Sequence, residues 1–95
     1  MANEKQLEKK LRMEVRAMGG FALKWVSPGV SGVPDRILVL PGGRVGFAEI
    51  KSPGRELGAL QKVWRGRLER LGFHFFVVDS LESLRAVLHW AWEGG

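Results

Sequence analysis

The sequence contains no cysteine and no long apolar run. Without cysteine, the chain can form neither a disulfide scaffold nor a zinc site with thiolate ligands. A membrane-spanning helix needs about 20 consecutive apolar residues, and the sequence has no such stretch. Its N-terminus also lacks the apolar core of a signal peptide. These absences predict an intracellular, cytoplasmic protein with no membrane-bound segment.

Acidic residues are outnumbered by basic ones. The 95 residues include 15 Lys and Arg against 10 Asp and Glu, which gives a net charge of +5. A small basic domain favours an anionic partner, most simply nucleic acid, although charge also serves solubility. Because 45% of the residues are hydrophobic, we expect one folded domain that spans residues 1–95.

Two short apolar runs on either side of Pro41-Gly42-Gly43 predict a β-hairpin. The runs, Ile37–Leu40 and Val45–Ile50, are rich in β-branched and other apolar residues, a composition typical of strands. The glycine pair between them is typical of a tight turn.

The expected register of this hairpin brings charged residues together. If the loop leaves Leu40 opposite Arg44, antiparallel pairing places Asp35 opposite Glu49. Side chains alternate between the two faces of a strand, so Lys51 lies on the same face as Glu49. The hairpin would therefore hold two carboxylates and an amine at one end.

Two carboxylates beside an amine suit a metal-dependent phosphodiesterase. Mg²⁺ prefers hard oxygen ligands and keeps several waters. A bound metal lowers the pKa of water and offsets negative charge on the scissile phosphate. Lys51 would orient the attacking water or neutralise the phosphate. Glu-x-Lys by itself is more often a solvated strand face, and it is Asp35 after Pro34 that favours a site.

Four short motifs follow one another along the chain: Gly32-Val33-Pro34-Asp35-Arg36, Gly42-Gly43-Arg44-Val45, Glu49-Ile50-Lys51 and Leu60-Gln61-Lys62. In this order they resemble the VRR-NUC branch of the PD-(D/E)XK nuclease superfamily. The resemblance extends from the first predicted helix to about Val87. The ordered combination is far more specific than any single motif.

The resemblance implies a role for each residue of the predicted site. Asp35 and Glu49 bind Mg²⁺ or Mn²⁺, and the backbone carbonyl of Ile50 is a third ligand. Lys51 acts on the nucleophilic water, and Gln61 completes the site. The implied reaction is endonucleolytic cleavage of DNA, without a small-molecule cofactor.

The resemblance also implies a substrate. Stand-alone members are similar to homodimeric resolvases, so we expect a homodimer that cuts branched DNA such as a Holliday junction. The rival hypotheses are a nicking, flap or restriction-like nuclease, a non-catalytic nucleic-acid-binding module, and a purely structural dimerisation domain.

The first predicted helix, over residues 4–18, carries two glutamates near its apolar stripe. The stripe consists of Leu7, Leu11, Val15 and Met18. Helical spacing places Glu4 within the stripe and Glu8 at its edge. A favourable position near a helix N-terminus already explains Glu4. We therefore favour Glu8 as the acidic catalytic residue of this helix and as a possible metal ligand.

Several basic and polar residues are candidate DNA contacts. One set shares a face of the first helix: Lys5, Lys9, Arg12 and Arg16. A second set lies in and around the loops next to the carboxylates: Lys24, Ser27, Arg36 and Arg55. Either set would supply phosphate contacts, although basic helix faces are often only solvated. His74 lies at the start of a predicted strand and has no partner motif, which favours a structural role for it.

The order helix, three strands, helix, strand, helix predicts an α/β domain. Its mixed central sheet would be flanked by helices, as in the restriction-endonuclease-like PD-(D/E)XK core. The expected core stripe is Leu60, Trp64, Leu68 and Leu71 in the second helix, and Leu81, Leu84, Leu88 and Trp92 in the last. Trp90 lies opposite that last stripe. Because a large exposed aromatic favours an interface, it is the candidate dimer contact.

Overall fold

The computed structural model describes residues 2–93. Its helices are α1 (Glu4–Ala17), α2 (Ala59–Arg70) and α3 (Leu81–Glu93), and its strands are β1 (Phe21–Lys24), β2 (Arg36–Leu40), β3 (Arg44–Ile50) and β4 (His74–Val78). A short 3-10 turn, Pro41–Gly43, joins β2 to β3. None of the helices in the described part is long and apolar enough to cross a membrane.

The four strands form one mixed sheet in the order β1-β2-β3-β4. β2 pairs antiparallel with β1 and with β3, whereas β4 pairs parallel with β3. The parallel pair requires a crossover, which α2 supplies. This architecture and the order α-β-β-β-α-β-α confirm the predicted fold class.

The predicted register of the β2–β3 hairpin is confirmed. Leu40 pairs with Arg44, and Ile37 pairs with Phe47. The turn between the strands requires Gly42 and Gly43, which adopt φ angles of 81° and 74°. Side chains other than glycine rarely adopt such angles.

Helices cover both faces of the sheet, and each face has its own apolar cluster. The larger cluster lies between the sheet and the helices α1 and α3, with fully buried Leu7, Leu38 and Leu84. The smaller cluster lies under α2 and centres on Phe47 and Leu68. Alternate residues of β3 and β4 contribute to opposite clusters, as the strand period requires.

The first strand is shorter than expected. The mainly apolar stretch from Phe21 to Val26 predicts a strand over all six residues, but the strand ends at Lys24. The Trp25 amide donates a hydrogen bond to the Asp35 carbonyl at 2.8 Å, and the chain then turns away from β2. The loop that follows leads back to Asp35, and its Gly32 (φ 92°) lies against the backbone of Leu60.

The expected stripes of the two later helices are only partly correct. In α2, Leu68 is buried, but Leu60 and Leu71 are 56% and 73% exposed. In α3, the buried residues are Leu84, Val87 and Ala91, while Trp92 is 73% exposed. Each helix is rotated relative to the prediction, because the strands that it covers determine which positions are buried.

The predicted exposed position of Trp90 is wrong. Its ring packs at the edge of the larger cluster, 5.3 Å from the Phe76 ring and 5.0 Å from the His74 ring. Arg44 lies 4.6 Å from the Trp90 ring and donates hydrogen bonds to the carbonyls of Trp90 and Ala91. Hydrogen bonds to charged groups contribute roughly 1.5–3 kcal/mol each. Arg44 and the Trp90 ring therefore hold α3 against the hairpin.

Candidate active site

Asp35 and Glu49 lie next to each other where β2 begins and β3 ends. The Asp35 amide donates to Glu49 Oε1 at 3.0 Å. In return, Asp35 Oδ2 accepts a hydrogen bond from the Ile50 amide at 2.9 Å. Each carboxylate therefore accepts a hydrogen bond from a backbone amide across the hairpin, one residue beyond the last ladder pair, Arg36 with Ala48. Hydrogen bonds of this kind fix both side chains in place.

Glu49 is the one charged residue among the buried residues of the described chain, with 3% of its surface exposed. Two donors approach its second oxygen, Oε2. Gln61 Nε2 lies 2.6 Å away, and Lys51 Nζ lies 3.6 Å away. A buried carboxylate is costly unless such partners compensate for the lost water.

The pKa of Glu49 is raised above the ordinary glutamate value. Burial is the main cause, and repulsion from the Asp35 carboxylate adds to it. The hydrogen bond from the Asp35 amide and the charge of Lys51 oppose the rise without cancelling it. A nearby cation would reverse the balance, because it favours the ionised form.

Gln61 links α2 to the carboxylates. Its amide nitrogen donates to Glu49, and its Oε1 accepts a hydrogen bond from the Gly58 amide at 2.8 Å. The second bond satisfies an amide at the start of α2 that has no partner within the helix. Gln61 thus orients Glu49 and caps the helix with the same side chain.

The two glutamates of α1 have different surroundings. Glu8 Oε1 accepts hydrogen bonds from Arg36 at 2.6 Å and from Arg12 at 2.8 Å. Glu4 instead accepts a hydrogen bond from Ser52 Oγ at 3.0 Å. Glu4 lines a cavity with both Asp35 and Glu49. The cavity that Glu8 lines contains Asp35 but not Glu49. The structure thus brings Glu4 to the carboxylate pair.

The structure places the candidate DNA contacts in different surroundings. Lys5, Lys24 and Arg36 line the cavity that contains Asp35, and Arg55 lines the one that contains Glu49. Arg36 is only 15% exposed, and its bonds to Glu8 and to the Ala22 carbonyl hold it inside the fold. Ser27 accepts a turn hydrogen bond from Val30 through its carbonyl. Lys9, Arg12 and Arg16 are exposed along α1.

Two comparisons identify the family of this fold. No protein-family model matches the sequence. A solved structure described as a VRR-NUC domain has a TM-score of 0.84 and 27% identity, and the match covers 93% of this chain and 97% of that one. "Putative nuclease p44" of Acyrthosiphon pisum secondary endosymbiont phage 1 is 43% identical over 88 residues, which are 93% of this chain and 94% of the phage protein. This chain belongs to the VRR-NUC family.

Membership of the VRR-NUC family and the similarity to the phage protein support a nuclease. In this VRR-NUC chain, residues 2–93 contain no cluster of three or more His, Cys, Asp and Glu side chains arranged for a metal ion. Two neighbouring carboxylates still fit Mg²⁺, which is commonly held by one or two carboxylates together with waters. Burial and the Asp35 carboxylate raise the pKa of Glu49, and a cation bound beside the two carboxylates would favour the ionised form.

Two residues that border this VRR-NUC site were not chosen from the sequence: Ser52 was not considered, and Glu4 was considered but Glu8 was favoured. Ser52 holds Glu4 beside the carboxylates, and the turn from Ser52 to Arg55 shapes the loop after β3. For Ser52, its place directly after Glu49-Ile50-Lys51 was the available signal. For Glu4, the signal was its position within the apolar stripe of α1, which directs its side chain toward the sheet.

Proposed function

We propose that this chain is a metal-dependent endonuclease that hydrolyses DNA phosphodiester bonds. The observation that carries the proposal is the reciprocal bonding of Asp35 and Glu49 beside Lys51. The carboxylates of Asp35 and Glu49, with the Ile50 carbonyl, would hold Mg²⁺ or Mn²⁺. A metal held there would activate water and offset phosphate charge.

Each side chain has a distinct task in this proposal. Lys51 lies near Glu49 and faces the same cavity as Asp35, where its ammonium orients the attacking water and neutralises the phosphate. Gln61 keeps Glu49 in one orientation. Glu4 replaces Glu8 as the acidic residue of α1 nearest the reacting groups, because two guanidinium groups already occupy Glu8.

Branched DNA is the proposed substrate, and a homodimer is the proposed assembly. A symmetric junction has two strands to cut, and a twofold dimer supplies two sites for them. Trp90 offers less surface to a dimer than the sequence predicts, because its ring is partly buried against the larger cluster. The exposed apolar side chains on and directly after α2, Leu60, Val63 and Leu71, are a second candidate surface. Sedimentation that shows a monomer at micromolar concentration would contradict the dimer.

One cleavage assay tests the function. Labelled four-way junction, flap and linear duplex are incubated with Mg²⁺, with Mn²⁺ or with chelator. The proposal expects metal-dependent cutting that is fastest on the junction. Faster cutting of the flap or of the linear duplex would replace branched-DNA resolution by a flap or restriction-like activity. Binding without cutting under every condition would leave only a nucleic-acid-binding module.

A further inference from the structure

Three neighbouring cavities lie between the candidate active site and β1, the edge strand of the sheet. Their volumes are about 250, 360 and 390 Å³. The first two share Glu4, Asp35 and Ile50, and the last two share Lys24 and Arg36. Each cavity therefore borders the next, from the carboxylates to the far cavity.

The far cavity, between α1 and β1, differs from the active site in its chemistry. Four cations line it, Arg12, Arg16, Lys24 and Arg36, and no carboxylate does. Its other lining includes three apolar side chains that are about half exposed: Met13 at 59%, Phe21 at 47% and Leu23 at 49%. We call this surface the α1–β1 groove.

The α1–β1 groove combines the two features that bind unpaired nucleotides. Cations track the phosphates, and an aromatic ring with apolar neighbours stacks against the faces of the bases. The Arg16 guanidinium lies 4.8 Å from the centre of the Phe21 ring, so a planar cation and a planar ring already stand together. Paired bases hide their faces within the duplex stack, and such apolar lining would give duplex DNA nothing to contact.

We propose that the α1–β1 groove binds an unpaired stretch of the nucleic acid strand on one side of the cleavage point. The proposal rests on the nuclease function proposed above and adds a substrate feature, a strand segment that is unpaired next to the cut, as the strands of a junction are where its branch point opens. Phe21 stacks on a base, Lys24 and Arg16 contact phosphates, and Arg36 stays bound to Glu8 as part of the wall. A bare duplex would occupy the active site and leave this groove empty.

Fluorescence anisotropy in chelator tests the proposal without any cleavage. Two labelled DNAs share one duplex, and one of them adds an unpaired tail, tried with each polarity. We expect tighter binding of one tailed DNA. Phe21→Ala should weaken that binding about 5- to 150-fold, the range expected for loss of one stacked base, and leave blunt duplex unchanged. Trp92→Ala removes an aromatic at the end of α3 that is more exposed than Phe21, 73% against 47%, and it should change neither affinity.

Two further measurements keep the test decisive. If Phe21→Ala unfolds, Leu23→Asp introduces a repulsive charge in the same groove and should reduce only tail binding. In the wild-type protein, a tail with 5-iodouracil should cross-link to the tryptic peptide Ala17–Lys24. Equal affinity of Phe21→Ala and wild type for tailed DNA, or cross-links confined to α2 or α3, would overturn the groove.

Other outcomes separate this inference from the proposed function. Tail binding at the groove by a protein that cuts no DNA would refute the nuclease proposal alone. Metal-dependent cleavage that is indifferent to tails and to Phe21→Ala would refute the groove alone. Sedimentation in which Phe21→Ala dissociates a dimer would identify the free edge of β1 as a protein interface, and this result also overturns the proposal.

Discussion

At the scale of single residues, Glu49 is the most constrained group in the described chain. It is a buried charge that bonds to the backbone of one strand and to the side chains of Gln61 and Lys51. Such an arrangement weakens the folded state when no cation is present, since burial and Asp35 both raise the pKa of Glu49. Without a cation, the ionised site therefore lowers the free energy of unfolding, and a bound cation would raise it.

We expect Glu49→Gln to abolish cleavage without lowering the stability of the metal-free protein. A carboxylate with a raised pKa binds its proton more tightly in the folded state. The free energy of unfolding therefore falls as the pH rises from the pKa of the unfolded state to the pKa of the folded state. At neutral pH the neutral amide escapes this loss, and its advantage should shrink toward pH 4. Thermal unfolding in chelator at several pH values measures the effect.

The matched control for this substitution is Glu69→Gln. Glu69 is exposed on α2 and forms a surface ion pair with Arg65, so its substitution should leave both cleavage and the pH profile unchanged. Asp35→Asn should likewise abolish cleavage and lower the pKa of Glu49, because it removes a repulsive neighbour. Full cleavage by either active-site variant would contradict the assignment of metal ligands.

We expect Gln61→Ala to reduce the rate of cleavage by about 10- to 100-fold, the usual effect of removing a side chain that orients a metal ligand. Glu49 would keep its charge but lose the 2.6 Å bond that fixes Oε2. Lys62→Ala changes the next, exposed residue of α2 and should have little effect on the rate. Single-turnover rates at saturating metal compare the two, and equal rates would exclude a role for Gln61.

At the scale of elements, the β2–β3 hairpin determines the geometry of the site. Its strands pair over Arg36–Leu40 and Arg44–Ala48, and the hydrogen bonds of Asp35 and Glu49 lie directly beyond this ladder. Two helices then approach the same end of the sheet with their N-termini. α1 brings Glu4, and α2 brings Gln61.

We expect deletion of Val39 to destroy metal binding and cleavage. The deletion shifts the register by one residue, which turns one of the two carboxylates to the opposite face of the sheet. Val39→Ala removes most of the same side chain without a register shift and is the matched control for lost packing. Calorimetric titration with Mg²⁺ or Mn²⁺ measures the result.

Insertion of one glycine between Gly42 and Gly43 should be tolerated. Both residues are exposed, and no atom lies within 4 Å of a side-chain carbon built on either, so the turn has room to lengthen. If the insertion and the Val39 deletion were equally harmful, the cause would be general damage to the hairpin instead of its register.

At the scale of the whole molecule, the excess of positive charge is unevenly used. Some cations are bound internally, such as Arg36 at Glu8 and Arg44 at the end of α3. Others line the cavities next to the carboxylates, above all Lys5 and Lys24. The net charge of +5 therefore describes solubility and general attraction to DNA better than it describes the site.

We expect Lys5→Ala combined with Lys24→Ala to lower the salt dependence of DNA binding. Each lost phosphate contact reduces the slope of log affinity against log salt by roughly 0.9 on duplex DNA, so the pair should reduce it by about 2. Lys62→Ala combined with Arg85→Ala removes the same charge from exposed positions on α2 and α3. An equal reduction by both pairs would show that net charge, and not this surface, determines the slope.

The sequence by itself determined the fold class and the hairpin that carries Asp35, Glu49 and Lys51. These follow from local properties: the strand period, the glycine turn and the fixed sum of paired residue numbers in an antiparallel ladder. The buried positions of α1, Leu7, Leu11 and Val15, follow for the same reason from the helical period. Short-range geometry of this kind needs no knowledge of the partner elements.

Tertiary structure alone decided which glutamate of α1 stands beside the carboxylates and where Trp90 lies. Glu4 and Glu8 lie one helical turn apart on α1. Their surroundings differ because Arg36 binds Glu8, whereas Ser52 binds Glu4. Trp90 is partly buried because Gly46 on β3 leaves space for its ring. Both outcomes depend on elements far apart in the sequence, and helical periodicity contains no information on what a neighbouring element offers.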